Sequence, residues 1–490
     1  MTTIDYSNAR PLDVHRWSDH SEVNAFIGQI YNDLKSIEGN EEISKKLVKV
    51  ILLDLYVAWC ADPSLMLMFS RDNNAYKAKS RYNELHIGKK VIGVVDALLQ
   101  DGVIAQQKGF KDRVSGIGYQ SRLWASDVLK AHFQKAKFSQ FAISHNEYWD
   151  PIILRDADKK AIEYKDTSET IRMRTVLRDY SKILNHTHID IYDLDKPILT
   201  VGEHKRTMRL QISQQDKLVR RVFNNSKWDQ GGRFYGGWWQ RCPKDYRKKI
   251  KMDGIMTAEV DFSGLHIVLL YAQEGINYWT EVNEDPYQLQ GIKSIDPDIN
   301  IRAAAKLLLL TAINSDDATK TFQAFRAQSK TGTPEKKMTD TQLSSLLQKL
   351  SRKHEPIAHK LASGAGIELM YVDSQITEKL IEKFTYEYEC PILTVHDSYI
   401  VPFGYDHILH QEMQVAFERI TGISHPVAEH TTEYFDVIMQ EPHTDHPVEL
   451  EHNHYAGPPS QRHLNDLDLF REFKDKSQRE DWVPNWTEVY

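Results

Sequence analysis

The chain has 490 residues, a length that predicts two or three domains rather than one core. Hydrophobic residues at 41% and charged residues at 27% are ordinary for a folded protein. The net charge of −7 excludes nucleic-acid binding through overall charge, so any such contact must use local basic surfaces. Cys60, Cys242 and Cys390 are far apart, which argues against a disulfide framework or a cysteine zinc site and fits a reducing, cytoplasmic setting.

The opening MTTIDYSNARPLDVHRW lacks a basic-then-apolar signal pattern, and the longest apolar run, LLLLTAI at 307–313, is too short to span a membrane. Over 41–70, Leu47, Val48, Ile51, Leu52 and Leu55 recur every three or four positions and predict a buried helix. A second helix is predicted over 88–100 from Val91, Val94, Val95, Leu98 and Leu99, stopped by Asp101-Gly102. Two β-like runs follow, 103–106 and 119–124, around the loop GFKDRVSGIG. Helix, turn, helix and basic hairpin are in the order of a winged helix. Such a module places one helix in the major groove of DNA and a basic wing on the backbone. Lys89 and Lys90 would open the groove helix, and Lys108, Lys111, Arg113 and Arg122 would populate the wing. The plainer alternatives are a solvated basic loop or a protein-contact surface.

Residues 146–225 are mixed, with a basic, glutamine-rich stretch at 204–223, and are expected to form a largely helical connector. In DQGGRFYGGWWQRCPKDYRKKI, 229–250, the glycines allow close approach, Arg233 offers forked donors and Tyr235 lies among flat aromatic faces, a combination that suits nucleic-acid contact through Arg233 and Tyr235. Taken singly, the stretch reads better as a Trp-rich packing corner. TAEVDFSGLHIVLLYA, 257–272, predicts a strand ending near Asp261, then a helix. SIDPDINIRAAAKLLLLTAIN predicts a helix over 296–314 capped by Asp296 or Asp298, with Arg302 and Lys306 four apart on one face. Those cations could snorkel from the surface or clamp a phosphate. A helix over 366–385 feeds PILTVHDSYIVP, which predicts a hairpin with Asp397 near its tip. From 441 to 490 the composition predicts a flexible tail.

In this order, the motifs of 226–440 resemble family-A DNA polymerases and the related single-subunit phage-type RNA polymerases. Asp261-Phe262-Ser263 resembles the segment carrying the first palm carboxylate. Arg302 and Lys306 match the fingers motif Arg-x-x-x-Lys, and His396-Asp397-Ser398 resembles the hairpin of the second carboxylate. GGRFY and EDPYQL, 284–289, stand where the family carries further short motifs. The resemblance implies an α+β right-hand fold of palm, fingers and thumb. It implies Asp261 and Asp397 as catalytic residues and ligands of two Mg²⁺ or Mn²⁺ ions, with Arg302 and Lys306 on the triphosphate. It also implies a DNA template and primer with nucleoside triphosphates as partners.

Three positions depart from the family pattern. His266 stands where DNA polymerases commonly carry Glu, Asn314 where the fingers helix usually ends in an aromatic, and Ser398 where a carboxylate often follows. His266 and Asn314 are therefore the residues on which nucleotide choice would turn. The expected organisation is a helical and winged-helix DNA-binding unit over 1–145, a connector or thumb over 146–225, palm and fingers over 226–440, and the tail. The winged helix beside a palm suggests, by analogy, a DNA polymerase of a phage, plasmid or mobile element. The alternatives are a DNA-binding replication or regulatory protein with an inactive palm, and an RNA polymerase or primase-like enzyme. A phosphohydrolase built on His396-Asp397 is disfavoured, because those enzymes present the pair on helices.

Overall fold

The computed structural model describes residues 5–6, 8–111, 116, 118–201, 208–289, 298–424, 428–430 and 457–477, and shows a mixed α+β protein. Among these residues no helix is long and apolar enough to cross a membrane.

The first part of the chain forms β1 (Ala9–Pro11), α1 (Ser21–Asp33), α2 (Glu41–Ala61), β2 (Met66–Phe69), α3 (Lys90–Gln100), β3 (Ile104–Gln107), β4 (Ser121–Ala125) and α4 (Asp127–Gln134). The sheet order is β1-β2-β4-β3, parallel at β1–β2 and antiparallel elsewhere. Asn40 caps α2 by accepting from the Ile43 amide, and Leu47–Ala58 is buried on every side. The predicted helix over 41–70 is too long. It stops at Asp62, ahead of Pro63, and Asp62 accepts from the Ser64 amide instead. Met66–Phe69 then extends between Ala9–Pro11 and Ser121–Leu123. One apolar core fills this unit, from Val23 to Ile143.

A second core runs from Ile152 to Phe417. Its elements are β5 (Ile152–Leu154), α5 (Ser168–Asn185), β6 (Ile189–Ile191), β7 (Ile198–Val201), β8 (Met208–Gln211), β9 (Val219–Phe223) and β10 (Gly231–Gly236). They continue as β11 (Ile250–Met252), β12 (Ile255–Phe262), α6 (Leu265–Gln273), α7 (Ile301–Ile313), α8 (Ala318–Gln328) and α9 (Asp340–Lys353). The last are α10 (Gly366–Tyr386), β13 (Leu393–Val395), β14 (Ser398–Pro402), α11 (Asp406–Thr421) and β15 (Ala428–His430). The central sheet has the order β6-β11-β12-β14-β13, with β15 pairing the end of β12.

The stretch 146–225 is not largely helical. It holds one long helix, α5, and the strands β5 to β9, because IIL, IDI, ILTV and VRRVF are β-branched runs that find strand partners. α7 is capped by Asn300, which accepts from the Ala303 amide. It is not capped by Asp298, and Asp296 lies outside the described residues.

Arg16 and the last described helix are two of the features that join the cores. Arg16, 1% exposed, donates to the Gln215 carbonyl (2.7 Å) and to Asp216 (2.7 Å), while its Nε faces Asp54 (3.3 Å). The other is α12 (Gln461–Ser477), which occupies part of the predicted tail. Arg462 and His463 both reach the buried Asp190 at the β6 edge, at 2.9 and 2.6 Å. Phe470 meets Phe141 and His188, and Phe473 meets His20. The remainder of the predicted tail, 441–456 and 478–490, lies outside the described residues.

Candidate active site

β12 and β14 run antiparallel with Asp261 opposite Ser398, and the Phe262 amide donates to the Asp397 carbonyl (3.2 Å). His396 and Asp397 form the tight turn between β13 and β14, with His396 in the left-handed region at φ 57°. That turn brings Asp397 beside the end of β12, so two carboxylates distant in sequence share one sheet edge. Asp261 Oδ1 is buried and has no hydrogen-bond partner among the described residues. Burial pushes the Asp261 carboxyl up to about 7, and the negative charges of Asp397 and Glu259 add to this, against Lys244 and Lys306. Two like charges, one with an orphan oxygen, make a site whose electrostatics favour a bound cation. Oxygen donors on neighbouring strands fit Mg²⁺ or Mn²⁺, which take carboxylates and keep waters. Among the described residues no group of three ligating side chains surrounds the pair. Asp261 and Asp397 are the carboxylates that would hold such an ion.

Glu259, two residues back on the same strand face, is a site residue that sequence reasoning missed. It takes two bonds from Arg247 (3.1 and 2.8 Å) and accepts from the Ser398 hydroxyl (2.7 Å). The period of two in β12 was the available signal.

Beside the pair stands a row of Asp373, Arg233 and His266. Gly231 and Gly232 adopt φ of 80° and 74°, and a Cβ on Gly232 would lie 2.7 Å from the Ser374 hydroxyl on α10. This close approach lets Arg233 on β10 donate from Nε to Asp373 (2.7 Å) and from Nη2 to His266 Nε2 (2.9 Å). His266 is thus an acceptor at Nε2. Burial, then the Arg233 charge, bring it down to about 4 and keep it neutral. Asp373 is 1% exposed and its Oδ1 has no partner among the described residues. Burial raises it to about 6, with Arg233 opposing and Asp397 adding to the shift. Nothing local in the α10 sequence singles out Asp373.

Arg302 and Lys306 both lie over the ring of Tyr287, at 5.6 and 5.4 Å. Arg302 Nε also donates to Asp285 (2.5 Å), and Lys306 lowers the Asp261 carboxyl. Lys306, Arg233 and His266 therefore cluster electrostatically with Asp261 and Asp397. Asn314 does not join them. It ends α7, donates to the Leu310 carbonyl (2.8 Å) and packs against Gly366 at the start of α10. Tyr235 is 39% exposed on β10, whereas Trp238 and Trp239 are fully buried, so the aromatics of that stretch are chiefly packing.

In the first unit, Lys89 and Lys90 are exposed at the start of α3, and Lys108 is exposed after β3. Lys111 ends the short strand Phe110–Lys111, and Arg113 lies outside the described residues. Arg122 is not a wing cation. It is 5% exposed on β4 and donates to the Tyr6 and Gln120 carbonyls, because its place in the strand turns it inward.

No protein-family model and no curated protein matches this chain.

Proposed function

We propose that the chain is a template-directed nucleotidyltransferase, a DNA polymerase before an RNA polymerase. In this reading β12, β13 and β14 belong to the palm of a right hand, and α7 to its fingers. The observation that carries it is the placement of Asp261 at the end of β12 beside the β13–β14 turn that holds Asp397, with Asp261 Oδ1 buried and unpartnered among the described residues. The ordered motifs around the pair support the same reading. Bound Mg²⁺ or Mn²⁺ would activate a 3′-hydroxyl and stabilise the leaving pyrophosphate. Lys306, which stands in the field of Asp261, meets the triphosphate and offsets its charge. Arg302 exchanges its bond to Asp285 for phosphate oxygens. Arg233, held by Asp373, fixes His266 in its neutral form beside the nucleotide. The helix–hairpin unit around α3, read as a winged helix, supplies contacts to duplex DNA through Lys89, Lys90 and Lys108.

The test is incorporation of labelled deoxynucleotides and, separately, ribonucleotides on primed and unprimed templates with Mg²⁺ or Mn²⁺. Incorporation by the wild type that vanishes in Asp261→Ala and Asp397→Ala is the expected result. No incorporation under any of these conditions would sink the enzyme. The engagement of Asn314 by α10 and of His266 by Arg233 would then favour a DNA-binding replication protein with an inactive palm.

A further inference from the structure

The segment between β2 and α3 folds back against the start of α3. Asn83 donates to the Lys77 and Ile87 carbonyls (3.2 and 2.9 Å), and the His86 ring bonds the Ala78 carbonyl (2.9 Å). A Cβ on Gly88 would lie 3.4 Å from that of Ala78. Ala78 is flanked by Lys77 and Lys79, and Gly88 is followed by Lys89 and Lys90, so four exposed lysines share one surface. None of the four is ion-paired to a described residue. Of the neighbouring carboxylates, two are neutralised by arginines and one, Glu163, keeps its charge at the border of the patch. Glu163 accepts from Ser80 and the Arg81 amide, while Asp150 and Asp166 are bonded by Arg81 and Arg174. An acidic chain thus carries here a local surface of four lysines against one bordering carboxylate.

The rest of α3's outward face does not suit base reading. Beyond Lys90 it presents Gly93, Asp96 and Gln100, and Asp96 is held by Arg71 (2.7 Å). A carboxylate on that face would be pressed against phosphates if the helix lay along a major groove.

We propose that Lys77, Lys79, Lys89 and Lys90 grip the phosphate backbone of duplex DNA without reading its sequence. This rests on the DNA-binding role proposed above for the helix–hairpin unit, and extends it to two lysines outside α3. The lysines release counterions from the duplex, so binding is steeply salt-dependent and indifferent to sequence.

The test is fluorescence anisotropy of the full chain on two unrelated duplexes of equal length, without nucleotide or divalent metal. Binding is thereby scored apart from incorporation. Four phosphate contacts at about 0.9 each give a slope of log affinity against log salt of about −3 to −4, or roughly a 100-fold loss between about 50 and 200 mM. The expected result is that this slope collapses in the fourfold Lys→Ala variant, persists in the fourfold Lys→Arg variant, and is the same for both duplexes. Melting temperature confirms that each variant is folded. An unchanged slope in the alanine variant would overturn the proposal. So would a more than tenfold preference for one duplex, or tighter binding to duplex RNA than to DNA.

Discussion

Lys217 lies 1% exposed beneath α12, donating to the Thr187 carbonyl (2.8 Å) and facing Gln214 (3.3 Å). Burial brings its ammonium down to about 7, with Asp253 opposing and Lys474 adding to the fall. In the unfolded chain the same group titrates at its ordinary value of 10.5. Between these values the unfolded state binds the extra proton, so stability rises with pH across that window and the contribution is flat below it. Each pH unit is worth about 1.4 kcal/mol, so the wild type gains about 2 kcal/mol between about pH 7 and pH 9 from this group alone. In Lys217→Met the group is absent and its share of the slope disappears. Urea unfolding of both proteins, followed by tryptophan fluorescence at several pH values, gives a difference curve in which every other titration common to both cancels. The curve is expected to turn in favour of the wild type above neutral pH. A flat difference from about pH 6 to pH 9 would refute the claim that this lysine is buried at the cost of its charge.

Asp397→Asn removes a like charge beside Asp261, and is expected to stabilise the metal-free protein at about pH 8 by about 1 kcal/mol while abolishing incorporation. A calorimetric melt and the labelling assay read the two effects separately. Gly232→Ala must hold φ 74° and push its Cβ against Ser374, and is expected to cost about 2 kcal/mol or more in thermal unfolding. Phe470→Ala leaves a void against Phe141 and His188. It is expected to cost about 3 to 5 kcal/mol, and to make α12 the first site of limited proteolysis.

Local patterns foretold much of the scaffold. α3, α6, α7 and α10 fall within a few residues of the ranges that their apolar spacing predicts, and the 391–402 hairpin turns at His396-Asp397. The misses share a cause, which is that partners distant in sequence decide the outcome. Met66–Phe69 is a strand only because Ala9–Pro11 and β4 offer edges to it. α12 has a poor helical signal because its buried face is Ser460, His463, Leu467 and Phe470, of which two are polar and bonded to the β6 edge and the loop after it. Asp373 carries no local signal because its partner Arg233 comes from another segment, and Glu259 carries only its period of two with Asp261, its partners Arg247 and Ser398 also lying elsewhere in the chain. Asp261 and the turn that holds Asp397, by contrast, are brought together by one antiparallel ladder.

α12 has a consequence for how the chain is made. It is synthesised after the residues it covers, which include His20 and Phe141 of the first unit and His188 and Asp190 of the second. Until residues 460–477 have emerged, the seam between the two cores keeps Phe141 uncovered and Asp190 without its arginine and histidine. A nascent or interrupted chain therefore displays a sticky, charge-frustrated seam for chaperones and proteases to find.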